Sequence, residues 1–140
     1  MSEKFKILTQ FVKDMSSETP DVETYLYVKE YLKNYNLNID ITTKPLKSRM
    51  IEVNTKLCYI DKGKSKNKSH FEITYASIIK INEQIKDRKI IEKIILCDVQ
   101  QEIYPNLEKV FINLLSNSGF TGIKFEKKVD FEQLYNQRLN

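Results

Sequence analysis

Through the first half of the chain, apolar and polar residues alternate with a period of two. Phe5, Ile7 and Phe11 open the pattern, and the stretch from Phe5 to Met15 reads as a first strand. A polar stretch from Asp14 to Glu18 follows, and Pro20 closes it. Leu37, Ile39 and Ile41 alternate with Asn38, Asp40 and Thr42, which predicts a half-buried strand ended by Pro45. Ile51, Val53, Thr55, Leu57 and Tyr59 alternate with Glu52, Asn54 and Lys56 as another strand. Phe71, Ile73 and Tyr75 alternate with Glu72 and Thr74, and this strand continues through Ile79 and Ile81. Between the last two lies a turn-rich loop, Asp61 to Ser69, containing Gly63. Strands joined by short polar loops favour antiparallel pairing. One segment, Asp21 to Lys33, breaks the alternation. Thr19 and Pro20 resemble a helix start, and Val22, Tyr25, Leu26 and Lys29 have helical spacing.

The period then changes. Ile85, Ile91, Ile94 and Ile95 predict a helix from about Glu83 to Cys97. Ile103, Leu107, Val110, Phe111, Leu114 and Leu115 share one helical face, with Gly119 as the stop. Phe120 to Phe125 reads as a short extended return. Asp130 can cap a last helix, with Gln133 in the capping-box position and an apolar stripe of Phe131, Leu134 and Tyr135. Strands first and helices after predict an α+β fold. The expected architecture is a four-stranded antiparallel sheet with C-terminal helices packed on one face, in a single domain over residues 1–140.

Composition narrows the function classes. Of 140 residues, 41% are hydrophobic, enough for one core. No apolar run reaches the length of a membrane span. The stretch from Met1 to Lys13 is interrupted by Lys4, Lys6, Thr9 and Gln10, so it lacks a secretory h-region and the expected location is the cytoplasm. The two cysteines, Cys58 and Cys97, have no paired spacing and read as reduced, mostly buried thiols. With His70 as the one histidine, a metal site has no obvious ligand set. The net charge of +4 is modest and arises from Lys-rich loops more than from one basic stripe.

Catalytic chemistry has little to build on. His70 stands at a strand start beside Ser69, with no Asp or Cys near it in sequence. The three glycines form no phosphate-binding loop. Asp14 with Glu18, and Asp98 with Glu102, read as solvated carboxylate pairs. Lys62, Lys64, Lys66 and Lys68 form the sharpest charge run, a solvated hairpin loop or a grip on anions. No aromatic is interleaved there for base stacking. Tyr25, Tyr27, Tyr31 and Tyr35 cannot all share one helical face, so some offer exposed contact area.

Three stretches together resemble the SecB family of export chaperones. Phe11-Val12-Lys13-Asp14-Met15-Ser16-Ser17-Glu18-Thr19-Pro20 is similar to that family's first-strand signature, an aromatic, then Lys-Asp, Ser and Glu, ending near Pro. Ile103-Tyr104-Pro105, followed by a helix to Gly119-Phe120, resembles the opening and closing of its long helix. Val129-Asp130-Phe131 with Leu134-Tyr135 resembles its closing helix. The resemblance implies a dimer of dimers without cofactor that binds unfolded precursor proteins and delivers them to SecA. It implies an extended conformation for Asp21 to Lys33. It further implies a SecA-binding patch at Asp14, Glu18 and Glu72. Client contacts are expected at Tyr25, Tyr27, Tyr31, Tyr104 and Phe111.

The sequence also departs from that family. It is basic where the family is usually acidic. Ala76-Ser77-Ile78-Ile79 stand in place of a glycine-rich stretch, Val99-Gln100 in place of a Cys-Pro step, and no acidic tail follows Leu139. Two other readings stay open: a SecB-like chaperone serving a toxin–antitoxin pair, and a small basic nucleic-acid-binding module using Lys62 to Lys68.

Overall fold

A computed structural model describes residues 3–61, 63, 66–123 and 129–138. Strand β1 spans Phe5–Glu18, helix α1 Val22–Tyr31, β2 Asn36–Pro45, β3 Met50–Ile60 and β4 His70–Ile81. A long helical run follows: α2 (Arg88–Lys93), a π-helical segment (Ile94–Asp98) and α3 (Val99–Asn117). Helix α4 is Phe131–Arg138. The sheet is antiparallel, in the order β1-β4-β3-β2. The α+β expectation therefore holds, and α1 settles residues 22–31 as helix rather than extended chain.

Alternation decides which face each strand buries. Val53, Leu57, Phe71, Ile73 and Ile79 are 0–1% exposed and point toward the helices. They meet Ile103, Leu107, Phe111 and Leu115, the predicted face of α3, all fully buried. At the middle of this contact Thr55 Oγ1 donates to Gln100 Oε1 (2.8 Å), and Gln100 Nε2 donates to the Ile95 carbonyl (3.1 Å). Gln100 stands where the family resemblance expects a Cys-Pro step. It anchors the long helix to the sheet with a buried, satisfied polar group.

The long helical run differs from expectation at both predicted starts, while Gly119 ends it as expected. It starts at Arg88, not Glu83, because Asn82 organises a turn: its side chain accepts from Gln84 N (2.9 Å) and its carbonyl from Ile85 N (3.0 Å). Asp87 then caps the helix through Lys89 N (2.9 Å). Pro105 lies inside α3 rather than opening it. Its missing N–H leaves the Gln101 carbonyl without the usual donor, but both residues are exposed and water can reach it. Asp130 caps α4 as predicted, accepting from Gln133 N at 3.0 Å. Asp21 caps α1 through Thr24 N at 2.7 Å. Ala76 to Ile79 are part of β4. Lys62, Lys64 and residues 124–125 of the predicted extended return lie outside the described residues.

Two β-bulges reset β1. Register shifts between Ile7 and Thr9, and between Val12 and Asp14, leave Leu8 and Lys13 as the extra residues. Each bulge flips the alternation beyond it. The result is an edge strand with Leu8, Phe11, Val12 and Met15 all 39–49% exposed.

Candidate functional site

Strand β2 is the other edge of the sheet, so one side of its backbone has no strand neighbour among the described residues. Its inward residues, Leu37, Ile39 and Ile41, are only half-buried. Across from them lies Leu96. The π segment buries Ile94, Ile95 and Cys97 and leaves Leu96 half-exposed toward β2. Helix α4 completes the wall. Phe131 and Tyr135, one turn apart, are buried, while Leu134 is 43% exposed. Tyr104 meets the Phe131 ring edge-on at 5.4 Å, and Lys93 and Glu132 approach to 3.9 Å, holding α4 against the long helix.

These walls form a groove of two hollows. One, about 370 Å³, is lined by Ile39, Ile41, Leu96, Phe131, Leu134 and Tyr135, with Asp40 and Gln137 at its polar rim. The other, about 360 Å³, runs on past Ile41, Thr43, Ile91, Ile95 and Leu96 to Arg88 and Glu92. Ile41 and Leu96 are shared, so the two hollows are continuous along β2. An extended polypeptide fits such a place twice over. Its apolar side chains enter the hollows, and its backbone lies beside an unpaired edge.

The tyrosines named from sequence fall in different settings. Tyr25 stacks on Phe120 (5.2 Å between ring centres) and its hydroxyl donates to the Gly119 carbonyl. Tyr27 and Tyr31, one helical turn apart on α1, have ring centres 4.6 Å apart, and Tyr31 is 37% exposed. Beside them Val22 and Leu26 are 72% and 59% exposed, giving α1 an apolar outer stripe. Tyr104 is half-buried against α4, and burial, with a smaller contribution from Glu108, pushes its phenol up to about 12. Phe111 corrects the expectation: it has no exposed surface and packs with Tyr59 in the core (5.5 Å), out of reach of any ligand of the folded protomer.

The outer face of the sheet, away from the helices, carries the acidic residues. Asp14 pairs with Thr74, Ser16 with Glu72, and Glu18 with His70. Directly paired residues point to the same face, so Asp14, Glu18 and Glu72 are together on it. The Lys13 bulge makes this possible; without it Asp14 and Glu18 would turn toward the helices. Glu72 is not a bare carboxylate. Lys56 Nζ lies at 2.9 Å and the Cys58 thiol donates at 3.3 Å, and these contacts, Lys56 first, hold its pKa below the usual carboxylate value. Lys13 does the same for Glu52 at 2.6 Å, helped by Asn54. His70 Nε2 reaches no closer than 4.0 Å to Glu72. Cys97 is buried and Cys58 half-buried, both free thiols, with burial raising both pKa values. Among the described residues no group of three His, Cys, Asp or Glu side chains gathers as metal ligands. Among the same residues no helix is long and apolar enough to cross a membrane.

Sequence reasoning missed the groove residues Leu96 and Leu134 as contacts. It read Ile39 and Ile41 as one side of a half-buried strand, which was the available signal.

Comparison with known proteins converges on one family. The model of the preprotein translocase subunit SecB matches residues 1–140. A Pelagibacter ubique protein named as a candidate protein-export SecB is 56% identical over 140 residues, covering all of both chains. The protein-export protein SecB of Parvibaculum lavamentivorans is 26% identical over 136 residues, 96% of this chain and 79% of its own. Among solved structures, a Mycobacterium tuberculosis SecB-like chaperone in complex with an antitoxin peptide superposes with a TM-score of 0.62. It covers 89% of this chain and 91% of its own at 10% identity, a likeness of fold.

Proposed function

Because this chain belongs to the SecB family, we propose that it is an ATP-independent chaperone that binds unfolded precursor proteins and delivers them to SecA for export. Members of this family are chaperones rather than enzymes. The observation that carries the reading is the apolar groove between β2, Leu96 and α4, open along an unpaired strand edge. A holdase needs broad, adaptable apolar contact without sequence specificity. The groove offers that for an extended chain, and the exposed stripe of α1 (Val22, Leu26, Tyr27 and Tyr31) offers more of it.

Weak contacts add up when one client spans several copies. The long edge strand β1, apolar and exposed on both faces, supports assembly with a second copy and so the homotetramer. Asp14 and Glu18, exposed on the outer sheet face beside Glu72, are the proposed docking point for SecA. An export role places the protein in the cytoplasm. Export is preferred over antitoxin service because the relative at 56% identity bears an export name, while the antitoxin-binding neighbour shares only the fold. The nucleic-acid module recedes for the same reason.

Leu134→Asp tests the reading, since Leu134 is exposed and its replacement spares the core. Affinity for a labelled, reduced, unfolded polypeptide, followed by fluorescence anisotropy, should fall by about fivefold or more, the scale of one lost apolar contact. Unchanged affinity in a folded variant would remove this groove from the mechanism.

A further inference from the structure

The positive charge of the chain is gathered at one end of the sheet. Lys4 and Lys6 flank the first residue of β1, and Lys6 lies directly opposite Lys80 of β4. The β2–β3 hairpin brings Lys44, Lys47 and Arg49 to the same end. Arg49 donates to the carbonyls of Asn82 (3.0 Å) and Ile85 (2.8 Å), fastening that hairpin to the segment that carries Lys86, Arg88 and Lys89. All nine cations are exposed, and none is in an ion pair among the described residues. Five carboxylates share this end: Glu52, directly opposite Lys44 in the hairpin, with Glu3, Glu83, Asp87 and Glu92. The remaining 14 cations and 14 carboxylates of the chain cancel, so the net charge of +4 resides here.

We propose that this end of the protein is a docking surface for the anionic headgroups of a phospholipid membrane. The cations sit on three exposed segments as a broad cap, which suits a flat surface of many weak charges better than a groove that tracks one strand. Ile90, beside Lys89, is 44% exposed and supplies an apolar contact of the kind interfacial binders insert. The aromatic at this end, Phe5, is half-buried against the core, so bases have no platform to stack on. The lysine stems can lie along the surface while their ammonium groups meet phosphate. This surface lies at the hairpin end of the sheet and adjoins the client groove, whose far hollow Arg88 and Glu92 also line.

The test is co-sedimentation of the full chain with vesicles. It should be retained on vesicles rich in phosphatidylglycerol at about 50 mM salt, released at about 0.5 M, and ignored by pure phosphatidylcholine vesicles. Soluble glycerophosphate should not displace it. The variant Lys47→Gln, Lys86→Gln, Arg88→Gln, Lys89→Gln should lose partition by about tenfold or more. A control with equal charge loss elsewhere (Lys29→Gln, Lys33→Gln, Lys66→Gln, Lys109→Gln) should keep most of it. Equal retention on neutral vesicles, equal loss in the control, or tight salt-sensitive binding of single-stranded RNA with no retention on vesicles would each overturn the proposal.

Discussion

The hydroxyl of Tyr25 donates a 2.8 Å hydrogen bond to the carbonyl of Gly119, and a Cβ added to Gly119 would stand 2.6 Å from the same ring. Gly119 has φ of +96° at the end of α3. One glycine thus stops the long helix, seats α1 against it and lets Phe120 turn into the core beneath Tyr25. Gly119→Ala should destabilise the fold by about 1–3 kcal/mol, from left-handed strain and the ring clash. Tyr25→Phe should cost about 1 kcal/mol, the worth of one hydrogen bond. Denaturant unfolding of both variants checks this, with Gly119→Ala the larger loss.

The buried pair Thr55 and Gln100 makes a second, sharper prediction. Gln100→Leu leaves the Thr55 hydroxyl and the Ile95 carbonyl without their partner inside the core. It should cost about 1–3 kcal/mol. Replacing both, Thr55→Val with Gln100→Leu, should cost less than the sum of the two single changes, because no orphaned hydroxyl remains at position 55. A double-mutant cycle measures the coupling.

Acid should loosen the outer sheet face first. Glu52 and Glu72 have folded pKa values below their ordinary 4.5, chiefly through hydrogen bonds from Lys13 and Lys56 respectively. The unfolded chain therefore takes up protons at higher pH than the native one. The stability these carboxylates contribute is complete above 4.5 and is lost as pH falls through their lower native values. Lys13→Met with Lys56→Met should flatten the fall in denaturation midpoint across that window. An unchanged slope would contradict the assignment.

If SecA docks on the outer sheet face, Asp14→Ala with Glu18→Ala should weaken its binding while leaving client affinity intact. Both residues are exposed, so the fold should be unaffected. Titration of SecA against labelled chaperone reads the first quantity, and the unfolded-polypeptide assay reads the second.

Much of this architecture was legible because strand alternation and helical capping are local signals. The inward set of β3 and β4 and the Asp130 cap were readable from spacing alone. Phe111 shows the same logic from the other side: its place in the Ile103, Leu107, Leu114, Leu115 stripe is that of a core residue, against the client-contact role expected of it. What the pattern could not reveal depends on distant partners. The bulges at Leu8 and Lys13 exist only relative to β4, yet they decide which way Asp14 and Glu18 face. Where α2 joins α3 through a π segment, the Gln100 side chain reaches both Ile95 and the distant Thr55. The groove is a meeting of β2 with residues of α2, the π segment and α4, far along the chain from it. The basic end joins three segments that no sequence window contains.

Size-exclusion chromatography with light scattering shows whether this protein holds unfolded chains as an assembly. The protein is run alone and with a reduced, unfolded polypeptide. A tetramer of about 66 kDa, four times the 16.6 kDa chain, should co-elute with the unfolded polypeptide and not with its folded form. A monomer that leaves the unfolded polypeptide to elute by itself would contradict it.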